Sequence, residues 1–230
     1  MAGAGIFRLG IVVPALDAAA SIGAVVTGAH ASGYPVLVVD DGSTDDTAAR
    51  GEAAGATVLR HPSNRGKGAA LRTGMLQLAA DGFSHALTMD ADGQHLAREI
   101  PQMITAATAA PRALVMGARI IGDQPVASAN QFGNWFANGA VRIAARMDAG
   151  DTQCGFRIYP LAEILPLPVS GSHFEYETTV IVHAVRAGVT LCSVPVAVFY
   201  PPVALRRSHY RNVLDTLRII RAMVPLLMRR

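Results

Sequence analysis

Short apolar runs rich in valine, isoleucine and leucine alternate with alanine-rich helical stretches through the first half of this chain, and that alternation constrains the fold more than any other feature. Residues 9–13 and 36–39 are β-branched runs, each ended by Pro14 or Asp40, with an Ala-rich helical stretch between them. The pattern continues with a strand at 57–59, a helix over 68–80, a strand at 86–89, a helix over 96–109 and a strand at 114–116. Continuous apolar strands separated by helices predict an α/β fold with a mostly parallel sheet flanked by helices. Ligands bind such sheets beyond the carboxyl ends of the strands. Pro14, Asp40, Asp41, Asp90 and Asp92 all fall at those ends, so scattered motifs are expected to converge on one site.

Beyond residue 120 the regularity weakens. A loop at 122–129, a helix at 132–145, a strand at 152–159, a helix at 175–187 and apolar runs at 189–194 and 196–200 are expected. With 230 residues, 51% of them hydrophobic and 16% charged, one packed core is the default, and no repeat or low-complexity linker interrupts it. Positive charge gathers late, in Arg206, Arg207, Arg211, Arg218, Arg221, Arg229 and Arg230. Nucleic acid is disfavoured as its partner, because no basic stretch is interleaved with aromatic stacking residues; a membrane surface fits better. Cys154 and Cys192 have neither the spacing of a zinc site nor the number of a disulfide framework, so a reducing cytoplasm is the simplest setting. No signal peptide is recognisable at the N-terminus, and no run approaches the ~20 apolar residues that span a bilayer.

The chemistry-bearing residues cluster where the strands end. In Asp90-Ala91-Asp92-Gly93-Gln94-His95, side chains two apart on a strand point the same way, so Asp90 and Asp92 can converge on one point past the sheet edge. Two hard oxygen donors suit Mg²⁺ or Mn²⁺ shared with a diphosphate; the competing reading is an acidic turn bent at Gly93. Asp40 and Asp41 end another strand, where a carboxylate can accept from a base imide or a ribose hydroxyl. After them, Ser43 or Thr44 can cap a helix whose N-terminus favours Asp45 and Asp46. Asn64-Arg65-Gly66-Lys67-Gly68 can bring Arg65 or Lys67 and free backbone donors to an anionic nucleotide, and is equally readable as an exposed helix start; it is not a phosphate-binding P-loop.

Arg119 can clamp a phosphate, and the Arg206/Arg207 cluster can do so or serve as a solubilising patch. Glu175 and Glu177 are candidate general bases if the chain is extended there; in a helix they diverge and one simply caps it. Asp151 is a further candidate. His95 is readable as a ligand, a phosphate partner or a solvent-facing helix residue, whereas His30, His61, His85 and His183 read as packing or surface residues.

These segments together resemble glycosyltransferase family 2 within the GT-A fold, most closely its polyprenyl-phosphate, dolichyl-phosphate mannose synthase-like branch. The resemblance runs from Ile11 to about Arg211. It rests on Val39-Asp40-Asp41-Gly42-Ser43-Thr44-Asp45, Asn64-Arg65-Gly66-Lys67-Gly68, Asp90-Ala91-Asp92-Gly93-Gln94-His95, Gly117-Ala118-Arg119, Gln153-Cys154-Gly155-Phe156-Arg157 and Phe174-Glu175-Tyr176-Glu177, in the family's order. It implies a metal-dependent, inverting transfer from a nucleotide-diphosphate sugar to a lipid acceptor, with polyprenyl phosphate as the leading case. Pro14, Asp40 and Asp41 would hold the nucleoside and Asp90 the ribose and metal. Asp92 and Gln94 would bind the Mg²⁺ or Mn²⁺, and Arg119, Arg206 and Arg207 would contact phosphates.

A polyprenyl phosphate arrives ionised and needs no base, whereas a hydroxyl acceptor on a glycolipid or pigment-type aglycone requires Glu175, Glu177 or Asp151. A nucleotide-sugar-binding protein without turnover is the alternative from another class. An oxidoreductase is disfavoured because no Gly-x-Gly-x-x-Gly follows the first strand. A phosphoaspartyl phosphatase is disfavoured because the first strand ends in Pro14 and not in Asp-x-Asp. One departure stands out: Asp17-Ala18 replaces the family's usual Asn-Glu, so a nucleotide-side carboxylate is missing.

Residues 1–211 read as the catalytic domain and residues 212–230 as a C-terminal amphipathic helix. Many relatives continue into transmembrane helices; here Val213, Leu214, Leu217, Ile220, Val224, Leu227 and Met228 form an apolar helical face, with Pro225 as a potential kink. That face could lie on the inner surface of the cytoplasmic membrane or pack on the domain.

Overall fold

The computed structural model describes residues 6–120, 139, 141–143, 151–199 and 212–228; the expected loop at 122–129 and most of the expected helix at 132–145 lie outside them. The chain alternates as expected through β1 (Leu9–Ala15), α1 (Ile22–His30), β2 (Val36–Asp40), α2 (Thr47–Ala53), β3 (Thr57–Arg60), α3 (Lys67–Ala80) and β4 (His85–Thr88). A 3₁₀ turn (Ala97–Glu99), α4 (Ile100–Ala109) and β5 (Leu114–Arg119) follow, then β6 (Arg157–Pro160), α5 (Leu161–Ile164), α6 (Glu175–Arg186), β7 (Leu191–Val196) and α7 (Asn212–Met228).

Among the described residues, seven strands form one sheet in the order β3-β2-β1-β4-β6-β5-β7. β1, β2, β3 and β4 pair in parallel, with Val13 opposite Val38 and Ile11 opposite Leu87. β6 runs antiparallel to both β4 and β5, placing Arg157 opposite Thr88 and Met116. That reversal matters for the site. The carboxyl ends of β1, β2, β4 and β5 share one edge, and the residues that lead into β6 are delivered to the same edge.

Two expectations are corrected. The strand expected over 152–159 begins only at Arg157, because residues 151–156 turn beneath the end of β4. Of the two apolar runs at 189–194 and 196–200, residues 191–196 form one strand, β7, followed by an isolated bridge between Val198 and His95. β7 is an edge strand, where Pro195 is tolerated despite lacking a backbone N–H.

Alternation along the strands sorts their side chains to two cores. Val12, Leu37 and Val39 meet Leu71 and Met75 of α3 together with Val180 and Ile181 of α6. Ile11, Val13, Val38 and Leu87 meet Ile22 and Val26 of α1 and Ile100 and Met103 of α4. Each fully buried side chain of this size stabilises the fold by roughly 1.5–3 kcal/mol. Ile219, Met223 and Leu226 of α7 belong to the first core, and Arg186 of α6 donates to the Leu226 carbonyl, so α7 packs on the domain. The helix runs through Pro225. Leu214, Leu217, Val224 and Met228, four of the residues that define its apolar face in the sequence, point outward. Among the described residues no helix is long and apolar enough to cross a membrane.

Candidate active site

The turn after β4 is built to present carboxylates. Gly93 adopts φ 76°, and the Gln94 N–H donates to Asp92 Oδ1 at 2.9 Å. The Asp90 N–H donates to His95 Nδ1 at 3.0 Å. With Nδ1 accepting, His95 holds its proton on Nε2, which faces Cys154 Sγ at 3.9 Å. The buried His95 ring stacks on Phe156 with centroids 5.2 Å apart. His95 is therefore an internal brace that ties residues 90–95 to the segment before β6. Beyond β7, the Phe199 N–H closes onto the Gln94 carbonyl at 2.9 Å.

The electrostatics separate the two acids. Burial works to raise the Asp90 pKa, but the Lys67 ammonium outweighs it and holds the carboxyl at about 2. Asp92 is shifted the other way, by the protein crowding its carboxyl and then by the Asp90 charge, although the residue as a whole is exposed. The two acids at the carboxyl end of β4 thus feel each other's charge.

Lys67, the first residue of α3, bridges Asp90 Oδ1 at 2.7 Å and Glu177 Oε2 at 2.9 Å. Its ammonium also lies 5.5 Å from the centre of the Phe174 ring. Before it, Gly66 has φ 99°, and a Cβ there would stand 2.4 Å from the Ser172 carbonyl oxygen. Gly155 lies over the ion pair so closely that a Cβ would come within 2.9 Å of Asp90 Oδ1 and 3.1 Å of Lys67 Nζ. Thr88 Oγ1 pins that segment by donating to the Gly155 carbonyl at 2.7 Å. Arg157 lies fully buried beneath it, donating to the carbonyls of Thr152, Cys154 and Glu177 and to the Tyr159 hydroxyl.

At the neighbouring strand ends, Pro14 is buried inside β1 opposite Val39. Asp41 is committed to the fold: its carboxylate accepts from His61 Nδ1 at 2.6 Å and from the N–H groups of Arg65 and Gly66 at 3.0 and 2.7 Å. Asp40 differs. Its Oδ1 accepts from the Ser43 N–H, while its buried Oδ2 has no hydrogen bond, although Arg60 Nε stands 3.2 Å away as an ion-pair partner. Ser43 and Thr44 do not cap α2. They hold Asp17, which sits at φ 43°, and Asp45 supplies the acceptor for the Thr47 N–H.

The three carboxylates named as candidate bases do not converge. α6 begins at Glu175, so Glu175 and Glu177 are helical and diverge. Glu175 Oε1 accepts from the N–H groups of Ser172 and His173, and its Oε2 is buried without a hydrogen bond among the described residues. Glu177 is held by Lys67. Asp151 forms a fork with Arg119, Oδ2 to Nε at 2.6 Å and Oδ1 to Nη2 at 2.9 Å. Arg206 and Arg207 lie outside the described residues.

The bracing roles of His61 and Arg157 are missed by sequence reasoning. A signal for the second is present, since Arg157 interrupts an otherwise apolar run between Phe156 and Ile158. Nothing local distinguishes His61, whose partner Asp41 is 20 residues away.

Among the described residues, no group of three or more His, Cys, Asp or Glu side chains is placed to enclose a metal. Asp90 and Asp92 nevertheless fit an ion of the Mg²⁺ or Mn²⁺ type. Such ions take one or two carboxylates from the protein and the rest of their shell from phosphates and water, and the mutual repulsion of these two acids is what a cation would relieve.

The sequence profile described as glycosyl transferase family 2 matches residues 10–161. The glycosyltransferase AglJ of Haloferax volcanii is 30% identical over 196 residues, spanning 83% of this chain and 62% of that protein. A dolichyl-phosphate beta-glucosyltransferase of Saccharomyces cerevisiae is 25% identical over 226 residues, spanning 82% of this chain and 66% of that protein. Among solved structures, the glucosyl-3-phosphoglycerate synthase of Mycobacterium tuberculosis with Mn²⁺, uridine diphosphate and phosphoglyceric acid superposes with a TM-score of 0.77 at 18% identity. It covers 97% of this chain, which corresponds to 79% of that one. That likeness confirms the GT-A type of fold.

Proposed function

The chain belongs to glycosyltransferase family 2, and from that premise we propose that it transfers a sugar from a nucleoside-diphosphate donor to a lipid-borne phosphate, a polyprenyl phosphate in the leading case. The observation that carries the acceptor class is the state of the carboxylates. Glu177 is ion-paired to Lys67, Asp151 is forked to Arg119, and the one Glu175 oxygen without a hydrogen bond is shut off from solvent. A hydroxyl acceptor must give its proton to such a base, whereas a phosphate monoester arrives as a nucleophile. A relative whose name specifies dolichyl phosphate supports the same reading.

In this reading Asp40 Oδ2, buried and without a hydrogen bond, would meet the nucleoside, and Asp90, Asp92 and Gln94 would hold Mg²⁺ or Mn²⁺. The ion supplies charge neutralisation for the leaving nucleoside diphosphate. The acceptor oxygen forms its bond to the anomeric carbon as the bond to the diphosphate oxygen breaks, which inverts that centre. Arg119, and Arg206 and Arg207 that follow Phe199 in sequence, would contact donor or acceptor phosphates. The outward face of α7 supports peripheral attachment to the inner surface of the cytoplasmic membrane, where a lipid acceptor would be met.

A transfer to a lipid hydroxyl is the second reading, favoured by the unmet Glu175 Oε2. Incubation with a panel of sugar nucleotides, Mn²⁺ and either a polyprenyl phosphate or the matching polyprenol distinguishes the two by product mass. We expect glycosylated lipid from the phosphate alone, with Glu175→Gln retaining turnover within about tenfold. Product from the alcohol alone, abolished in Glu175→Gln, would overturn the phosphate-acceptor reading.

A further inference from the structure

Lys67 occupies a position that ordinary helix energetics disfavours. It is the first residue of α3, where the helix dipole is positive and an acid, not a base, is stabilised, and no acidic residue stands in that first turn. Its flexible chain is nonetheless folded inward, with the side chain only 17% exposed, and its ammonium is fixed between Asp90 and Glu177, which are 28% and 10% exposed. The backbone at Gly155 roofs the Asp90–Lys67 pair. The result is a permanent positive charge 2.7 Å from one oxygen of the inner aspartate of the metal-seeking pair.

We propose that Lys67 is a built-in counter-cation of the metal site. In the donor-free protein its ammonium competes with a divalent ion for Asp90, and Glu177 is the positioning residue that receives the displaced ammonium when the ion binds. This inference rests on the reading of Asp90 and Asp92 as metal ligands and adds a consequence that reading does not contain. The donor-free protein binds divalent ions weakly, because Asp90 is already neutralised. Binding tightens when an anionic diphosphate arrives to share the ammonium. The geometry thereby couples metal binding to donor binding through a lysine of the chain itself.

Free Mn²⁺ measured by electron paramagnetic resonance during titration of the full chain, without nucleotide, tests this directly. Removing the competitor in Lys67→Met is expected to tighten Mn²⁺ binding by about tenfold or more, since a unit charge within a few ångströms of a divalent ion outweighs thermal energy at a protein surface. A merely structural lysine would move the affinity the other way or not at all, so equal or weaker binding by a cooperatively melting Lys67→Met overturns the proposal. Should that variant not fold, Glu177→Gln serves in its place. It leaves the ammonium with Asp90 as its only acid, so Mn²⁺ binding should weaken several-fold, and unchanged or tighter binding overturns the proposal. Binding of Mn²⁺ by neither wild type nor Lys67→Met overturns the metal reading itself, whereas equal binding by both overturns this inference alone.

Discussion

The Asp151 carboxylate meets the Arg119 guanidinium in a two-point fork, and this pair shows how strongly one contact can redefine a residue. Burial works to raise the Asp151 pKa, but the Arg119 hydrogen bonds and charge prevail and lower it. A folded pKa below the unfolded one means that the pair stabilises fully above about pH 4 and loses that contribution as the pH falls through the folded value. Denaturant titrations at pH 7 and pH 3 should therefore show a smaller acid loss of stability in Asp151→Asn than in wild type; equal losses would contradict the assignment. The same contact shows why roles were harder to read in the sequence than positions. Asp40, Asp90, Asp92 and Arg119 are legible as strand-end residues because a chain that ends a buried strand in charge announces an edge. Whether a carboxylate is free or spent depends on partners far away in the chain. Asp41 is spent on His61, Arg65 and Gly66, and Asp151 on Arg119.

At the scale of elements, apolar runs locate β1, β2, β3 and β5 to within a few residues because strand propensity and burial agree there. The failures have a common cause, since tertiary partners decide where an element stops and which face it buries. β6 is cut short where residues 151–156 turn to support the Asp90 turn. α7 is apolar on more than one side, and its contact with α6 selects Ile219, Met223 and Leu226 for the core. That leaves Leu214, Leu217, Val224 and Met228 exposed at 51, 55, 46 and 78%. The two faces make separate predictions. Ile219→Ala should cost about 2–4 kcal/mol of stability, as deletion of a buried aliphatic side chain does. Replacing the four outward residues with serine should leave the melting temperature nearly unchanged yet abolish flotation with anionic vesicles. Undiminished flotation would remove the membrane role from this helix.

Across the whole molecule, the candidate site is assembled by a direction reversal that no local pattern displays. Three parallel strands, β2, β4 and β5, deliver Asp40, Asp90 and Arg119 to one edge, and the antiparallel β6 brings Gly155 and Arg157 up against them from the opposite chain direction. The alternation of strands and helices makes the parallel part readable in advance. The pairing of β4 with β6 is not readable, because Thr88 and Arg157 meet across a long stretch of chain and carry no complementary signature. The assembled edge places a buried carboxylate oxygen without a hydrogen bond at Asp40, the acids Asp90 and Asp92, and Lys67 paired to Asp90. We propose that this edge is a metal-dependent sugar-nucleotide site. Its most direct test is release of nucleoside diphosphate from a panel of sugar nucleotides, with polyprenyl phosphate present, comparing wild type with Asp92→Ala in Mn²⁺ and in chelator. Wild type should release nucleoside diphosphate only with the metal, and Asp92→Ala should be slower by about a hundredfold or more. Equal turnover by the two proteins, or turnover that survives chelation, would contradict it.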